Sequence, residues 1–193
     1  MTSITKVTLL ISAVTVGLSG CMTTSQPMGA RAQATTMVGG AEMLPTRNII
    51  QNAVNSADHT TLVAAVKAAG LVDTLSGAGP FTVFAPTNAA FAKLPAGSVE
   101  TLLQPANKAM LQSVLTYHVV PGRLTAANLK SKILAGGGSA RLTTVNGAIL
   151  TARMMDGGIV LVDGKGGTSH VTQANVMQSN GVIHVTDTVS MPG

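Results

Sequence analysis

The chain has 193 residues, 46% of them hydrophobic and 10% charged, which suits one globular domain with an ample core and excludes a disordered polymer. Twelve Lys and Arg against seven Asp and Glu give a net charge of +5, yet the basic residues are scattered singly. With three Phe, one Tyr and no Trp, neither a basic arm nor a base-stacking platform is available, so nucleic acid is excluded as a partner.

Lys6 precedes an apolar run, Val7–Gly17, of signal-peptide length and too short to span a bilayer as a helix. Leu18-Ser19-Gly20-Cys21 follows, and it looks like the bacterial lipoprotein cleavage box, in which the cysteine becomes the lipidated first residue. On this reading, residues 1–20 are a lipoprotein signal peptide and residues 21–45 a lipid-anchored flexible tether. An ordinary signal peptide cut at Ala30-Arg31-Ala32 or Ala32-Gln33-Ala34 is the alternative. Cys21 is the sole cysteine, so lipid on it leaves no thiol for a disulfide, and the fold must stand on its core. Lipobox proteins carry more than one acyl chain, enough for stable anchoring at ~0.8 kcal/mol per buried methylene. Met22 stands where an aspartate would hold many lipoproteins at the inner membrane, which points to the outer membrane, on its periplasmic face or at the cell surface.

Met22 to Pro45 is polar, rich in Thr, Gly and Ala, and without periodicity. A coil of this length reaches roughly 25–30 Å. Met22, Met28, Met37 and Met43 carry soft thioethers, but no histidine or cysteine is interleaved, so a low-complexity tail is preferred to a copper site.

From Arg47 the pattern is helical. Ile49, Ile50, Ala53, Val54 and Ala57 share a face. Asp58 can cap a second helix with Leu62, Val63, Val66 and Ala69 inward and Gly70 as its stop. Phe81–Ala85 is a β-rich run ended by Pro86. Ser98 can cap a short helix bearing Leu102 and Leu103, and Met110, Leu111, Val114 and Leu115 mark another helical face. The period then changes. Residues 142–145, 148–151, 159–162, 171–177 and 182–186 read as strands, with turns at Asn146-Gly147, Asp163-Gly164 and Asn180-Gly181. Gly136-Gly137-Gly138 lacks a following Gly-Lys-Ser/Thr and reads as a flexible loop. Helices first and antiparallel strands after make an α+β domain.

Three segments carry a resemblance: Gly79–Pro95, Leu115-Thr-Tyr-His-Val-Val-Pro-Gly122, and Ser179-Asn-Gly-Val-Ile-His-Val-Thr186 continuing to Pro192. In this order they resemble the signature regions of fasciclin-type domains. The resemblance implies a single fasciclin-type domain over residues 46–192, a wedge-shaped β-sandwich flanked by helices, with the last signature strand beside the first. It also implies an extracellular binding or adhesion module rather than an enzyme.

The candidate binding or structural residues are Thr87, Asn88, Tyr117, His118, Asn180 and His184. The family resemblance associates the Tyr117–His118 segment with adhesion. Its apolar setting favours a structural role, because buried polar groups there must be paired or cost about 1–3 kcal/mol each. Alternation puts Val182, His184 and Thr186 on one face and Ile183 and Val185 on the other. Asp187 near His184 hints at a general base, but no Gly-x-Ser-x-Gly element supplies a nucleophile. Thr87 or Asn88 can cap the helix bearing Phe91. Asn175 stands where the family usually has an acidic residue. His59, at a helix start, and His170, in a Gly/Ser loop, complete the four histidines, which lack short metal-ligand spacing.

The leading expectation is therefore a lipid-anchored, monomeric binding module of the cell envelope. It would meet the membrane through its N-terminal lipid, take a protein or polysaccharide ligand, and need no metal or cofactor. A carrier of an apolar small molecule such as a carotenoid is the second reading, and an envelope-polymer hydrolase the third.

Overall fold

The computed structural model describes residues 35–95 and 97–193, so Cys21 and the signal-peptide features lie outside the described residues. Two strands from opposite ends of the domain form its centre. β3 (Phe81–Pro86) and β9 (Gly181–Thr186) pair in parallel, with Phe81 opposite Gly181 and His184 opposite Phe84. Around them a seven-stranded sheet runs in the order β4-β3-β9-β8-β7-β6-β5, and every other pairing is antiparallel. The remaining strands are β4 (Val119–Pro121), β5 (Ser139–Thr143), β6 (Ile149–Met155), β7 (Gly158–Val162) and β8 (Thr168–Gln178). β8 is where the sheet turns over. Its first residues pair with β7, its last with β9, and its register slips twice between them. The outer strands then approach each other, and Val145 N–H donates to Val119 O at 2.8 Å, so the sheet nearly closes.

Alternation along β3 and β9 feeds two cores. Val83, Ala85, Ile183 and Val185 face a layer of helices: α1 (Ile49–Ala53), α2 (Thr60–Ala69), α3 (Val72–Ser76), α4 (Asn88–Ala92), α5 (Ser98–Leu103) and α6 (Lys108–Tyr117). Phe84 points the other way, into the space enclosed by the folded sheet, with Tyr117, Leu150 and Leu161. α7 (Ala126–Ala135) plugs that space through Leu129 and Ile133, both fully buried. The architecture is the α+β single domain expected, with the last signature strand beside the first.

Several local expectations need correction. The tether does not extend to residue 45. β1 (Thr36–Val38) and β2 (Ala41–Met43) form a hairpin whose Val38 and Met43 are buried in the helix-side core, so Met43 is a core residue and the domain begins before residue 46. Asp58 is not a helix cap. A 3₁₀ turn, Ala57–His59, leads into α2, and its first N–H is taken by Gly39 O. Gly70 does end α2, in the left-handed conformation at φ 73°. Ser98 sits inside α5, one residue past its cap Gly97. Met110, at 60% exposure, is off the buried face of α6. Asn146-Gly147 turns the β5–β6 hairpin, but only Gly147 adopts positive φ, and its N–H closes on Thr144 O. His170 lies in β8 rather than in a loop.

Candidate functional site

The signature side chains are placed by the two cores, and their polar atoms are used within the fold. Tyr117 ends α6 with its ring fully buried. Its hydroxyl donates to Ile149 O and accepts from Gly164 N–H, both at 3.0 Å, tying α6 to β6 and to the β7–β8 turn. Burial raises its pKa above the ordinary tyrosine value; the Gly164 N–H opposes this, and Asp163 adds to it.

His118 follows as the C-terminal cap of α6. Ser190 N–H donates to Nε2 at 3.0 Å, so Nδ1 carries the proton and donates to Val114 O at 2.8 Å. The ring therefore joins a helix end to the segment after β9. Burial lowers its pKa below the ordinary histidine value, against the opposing pull of Val114 O and Asp163. Both ring nitrogens are used inside the fold, and neither is available to a ligand.

His184 stacks on Phe84, with ring centroids 5.6 Å apart. Nε2 donates to Leu124 O at 2.7 Å and Nδ1 faces Asn175 N–H at 3.4 Å. Its pKa is also lowered by burial, partly offset by Leu124 O. The structure does not bring His184 and Asp187 together. Asp187 instead accepts from His170 N–H (2.8 Å), the Thr188 hydroxyl (3.0 Å) and Lys93 (3.3 Å). Burial pushes its pKa up, but these donors outweigh it and the carboxyl sits below its ordinary value. No base–orienter pair of the kind a hydrolase needs is formed at His184.

Thr87, rather than Asn88, caps α4, its hydroxyl accepting from Ala90 N–H. Asn88 reaches across to α2 and the turn before it, accepting from Thr61 N–H (3.0 Å) and donating to Ala57 O (2.8 Å). Asn180 does similar work at the β8–β9 turn. Its amide accepts from Ile49 N–H at 3.1 Å and donates to Leu75 O at 2.8 Å and Gly77 O at 3.0 Å, linking α1, α3 and the sheet. Asn180→Ala should therefore lower stability by about 2–3 kcal/mol, because three backbone groups lose their partner. Chemical denaturation should show this as a lower midpoint at unchanged slope.

Asn175 has a different use. It adopts φ 61° at the second register slip of β8, and its side chain accepts from Ala126 N–H in the first turn of α7 at 2.7 Å. Beside it lies an open cleft of about 470 Å³, lined by Thr36, Pro45, Arg123, Met177 and Ser179. Arg123 Nη2 donates to Gln178 O (3.3 Å) and Ser179 O (3.1 Å), which fixes the guanidinium at the cleft; Nε and Nη1 have no partner among the described residues. Gln178, which also lines the cleft, is held from inside the fold. Buried Gln178 is bonded by Asn52 Nδ2, and Asn52 also exchanges hydrogen bonds with the backbone of Leu44.

Sequence reasoning passed over Arg123, Gln178 and Asn52, and weighed His59 only as a metal ligand. Arg123 directly follows the Tyr-His signature, which was its one available signal. The four histidines stay apart, and among the described residues no three His, Cys, Asp or Glu side chains converge as metal ligands. What the arrangement offers is a positioned guanidinium, backbone edges and amides on a rigid frame, which is equipment for recognition.

Comparison with known proteins agrees with this frame. Residues 57–192 match the family model described as "Fasciclin domain". The protein sll1483 of Synechocystis sp. is 50% identical over 144 residues, covering 75% of this chain and 73% of that one. The cell surface glycolipoprotein MPB83 of Mycobacterium bovis is 38% identical over 124 residues, covering 63% of this chain and 48% of its own length. Among solved structures, the FAS1 domain pair of the insect cell adhesion molecule fasciclin I superposes with a TM-score of 0.67 at 18% identity, over 74% of this chain and 50% of that one. With its parallel β3–β9 pair at the centre and its three signatures locked into one hydrogen-bonded frame, the chain belongs to the fasciclin domain family.

Proposed function

We propose that this protein is a lipid-anchored binding module of the cell envelope that uses the Arg123 cleft to hold a carboxylate-bearing polysaccharide. The observation that carries the reading is the division of labour among polar groups. The side chains of Tyr117, His118, Asn180 and His184 are spent inside the fold, whereas Arg123 is held at an open cleft with donors to spare among the described residues. The net charge of +5 favours an anionic partner, and the similarity to the cell surface glycolipoprotein MPB83 supports surface anchoring, for which Cys21 is the candidate residue. Among the described residues no helix is long and apolar enough to cross a membrane.

Titration with oligogalacturonate should show saturable binding that weakens with salt. Arg123→Gln should reduce it about tenfold or more, the loss of one charge-assisted contact, with little change in melting temperature. Unchanged affinity in that variant would remove the cleft from the proposal. For the anchor, Cys21→Ser should shift the protein out of the membrane fraction; unchanged fractionation would show that lipid on Cys21 is not what holds it.

The pigment-carrier reading gains no support from the interior. The crevice between α1, α2 and β3 encloses about 30 Å³, and its neighbour beneath the β1–β2 hairpin about 20 Å³. Each is room for a water molecule, well short of the ~150 Å³ that accommodates even a benzene ring.

A further inference from the structure

His59 lies beneath the β1–β2 hairpin, 3% exposed, at the smaller of those two apolar cavities. Nδ1 is 2.9 Å from Ser56 Oγ, and that hydroxyl lies 3.3 Å from Val38 O in β1. If the hydroxyl donates to Val38, Nδ1–H donates to the hydroxyl and Nε2 is a bare lone pair. If it donates to Nδ1, then Nε2–H lacks an acceptor. In both tautomers Nε2 is buried without a hydrogen-bond partner among the described residues. The Ala85 carbonyl favours the protonated ring but does not reach hydrogen-bonding geometry with Nε2. A leucine would fill this place without an orphaned polar atom, so the histidine costs stability in the closed form.

We propose that His59 is a proton-operated latch for the β1–β2 hairpin: neutral, it holds the hairpin closed through Ser56 and Val38, and protonated, it drives the hairpin off the domain. A second proton gives the ring two N–H donors inside an apolar enclosure. The elements packed around it present aliphatic side chains, Ile49, Leu62, Val83, Val176 and Ile183 among them, and among the described residues the charge acting on the ring is Asp58 on its own turn. Burial accordingly lowers the pKa, against the pull of Ala85 O and Asp58.

Hydration requires some wall to move, and the walls differ in strength. α1, α2, β3, β8 and β9 are members of the main core or sheet. The hairpin is two three-residue strands in a sheet of their own, held by Val38, Met43 and a few bonds, including Ala57 N–H to Gly39 O (3.3 Å) and Gln173 Nε2 to Met37 O (2.9 Å). A two-stranded hairpin is marginal alone, so it is the wall that opens. Between pH 6.5 and the closed-state pKa, each unit of pH lost raises the open-to-closed ratio about tenfold. Thr36 and Pro45 wall the Arg123 cleft, but the latch can be tested whatever that cleft binds.

The test uses the methionine methyl groups of the full chain, labelled with ¹³C and followed by NMR from pH 7.5 to 5. Met43 is buried under the hairpin, Met37 is an exposed control, and the Tyr117 ring reports global folding. The expected result is that Met43 moves to a solvent-exposed shift with a midpoint below 6.5 while Tyr117 stays native, and that His59→Gln abolishes the transition. A Met43 signal that stays native to pH 5, or that moves equally in His59→Gln, overturns the latch. So does movement only in step with Tyr117. If His59→Gln does not fold, the wild-type imidazole ¹⁵N shifts decide: His59 and Met43 must share one midpoint, and a ring that titrates while Met43 is unmoved overturns the proposal.

Discussion

Gly181→Val should remove a large part of the domain's stability at 25 °C, leaving it marginal or unfolded. Gly181 opens β9 opposite Phe81, and the chains approach so closely there that a Cβ would sit far inside van der Waals contact with the Phe81 carbonyl oxygen and 3.1 Å from Ile49 Cδ1. The main obstacle is backbone in the central parallel pair, so no rotamer change relieves it. Gly79 is the mirror of the problem, its missing Cβ lying against Asn180 O. Relief would need β9 to shift, which pulls Ile183 and Val185 from the helix-side core and His184 from Phe84. Overpacking against a fixed backbone, with loss of those contacts, should cost more than about 4 kcal/mol, against a typical total of 5–15. Far-ultraviolet circular dichroism and a thermal melt would measure it. Gly181→Ala should already melt well below wild type; a melt within about 2 °C would show that the close approach is not what the fold requires.

Stability should also fall steeply as pH drops below about 6.5, through His118 and His184. Both rings are folded in the neutral form, each with one nitrogen facing a backbone N–H donor, Ser190 for His118 and Asn175 for His184. Protonation would set donor against donor. The unfolded chain binds these protons near pH 6.5, whereas the folded chain binds them only at lower pH, because burial depresses both pKa values. The unfolded state therefore holds more protons below 6.5. The stabilisation is complete above that value and is lost as pH falls from 6.5 towards the folded-state pKa values. The slope is up to about 1.4 kcal/mol per pH unit for each ring. Melting temperatures at pH 7.5 and 5.5 should differ by several degrees, and a flat profile would contradict the assignment. His118→Ala removes the ring altogether, orphaning Val114 O and Ser190 N–H around a cavity, and should lower stability by about 3–5 kcal/mol at pH 7.5. If that variant kept its melting temperature and lost only ligand binding, His118 would be a contact residue instead.

The parts of the fold legible in the sequence are those where period and punctuation agree. The alternation of Val182, His184 and Thr186 against Ile183 and Val185 describes β9 as it stands, and Gly70 stops α2 where its left-handed backbone predicts. α7 was missed because only Leu129 and Ile133 face inward while Leu134 is 76% exposed, which blurs the helical stripe despite the Thr125 cap. The β1–β2 hairpin escaped for the opposite reason. Three-residue strands are too short to show alternation, although Gly39-Gly40 between them is a turn signal. Of the site, the signature residues could be named from sequence, but their internal employment could not, since Tyr117 finds its acceptor at Ile149 and Asn180 its partners at Ile49 and Leu75 only through tertiary packing. Arg123 became a site residue because the irregular β8 opens a cleft beside it, and a lone arginine carries no such message in one dimension.

The pairing of β3 with β9 has a consequence for how the protein is made. Phe81 and Gly181 are one hundred residues apart, and β9 is flanked by β3 on one side and β8 on the other. While the ribosome is still short of residue 186, β3 has an open edge, the helix layer lacks Ile183 and Val185, and the Asn180 clamp on α1 and α3 does not exist. The nascent chain can form helices and the β5–β8 meander in that interval, because those contacts are local. The closing step waits for the last strand, so the domain stays pliable through nearly all of its synthesis and becomes rigid in a single late event.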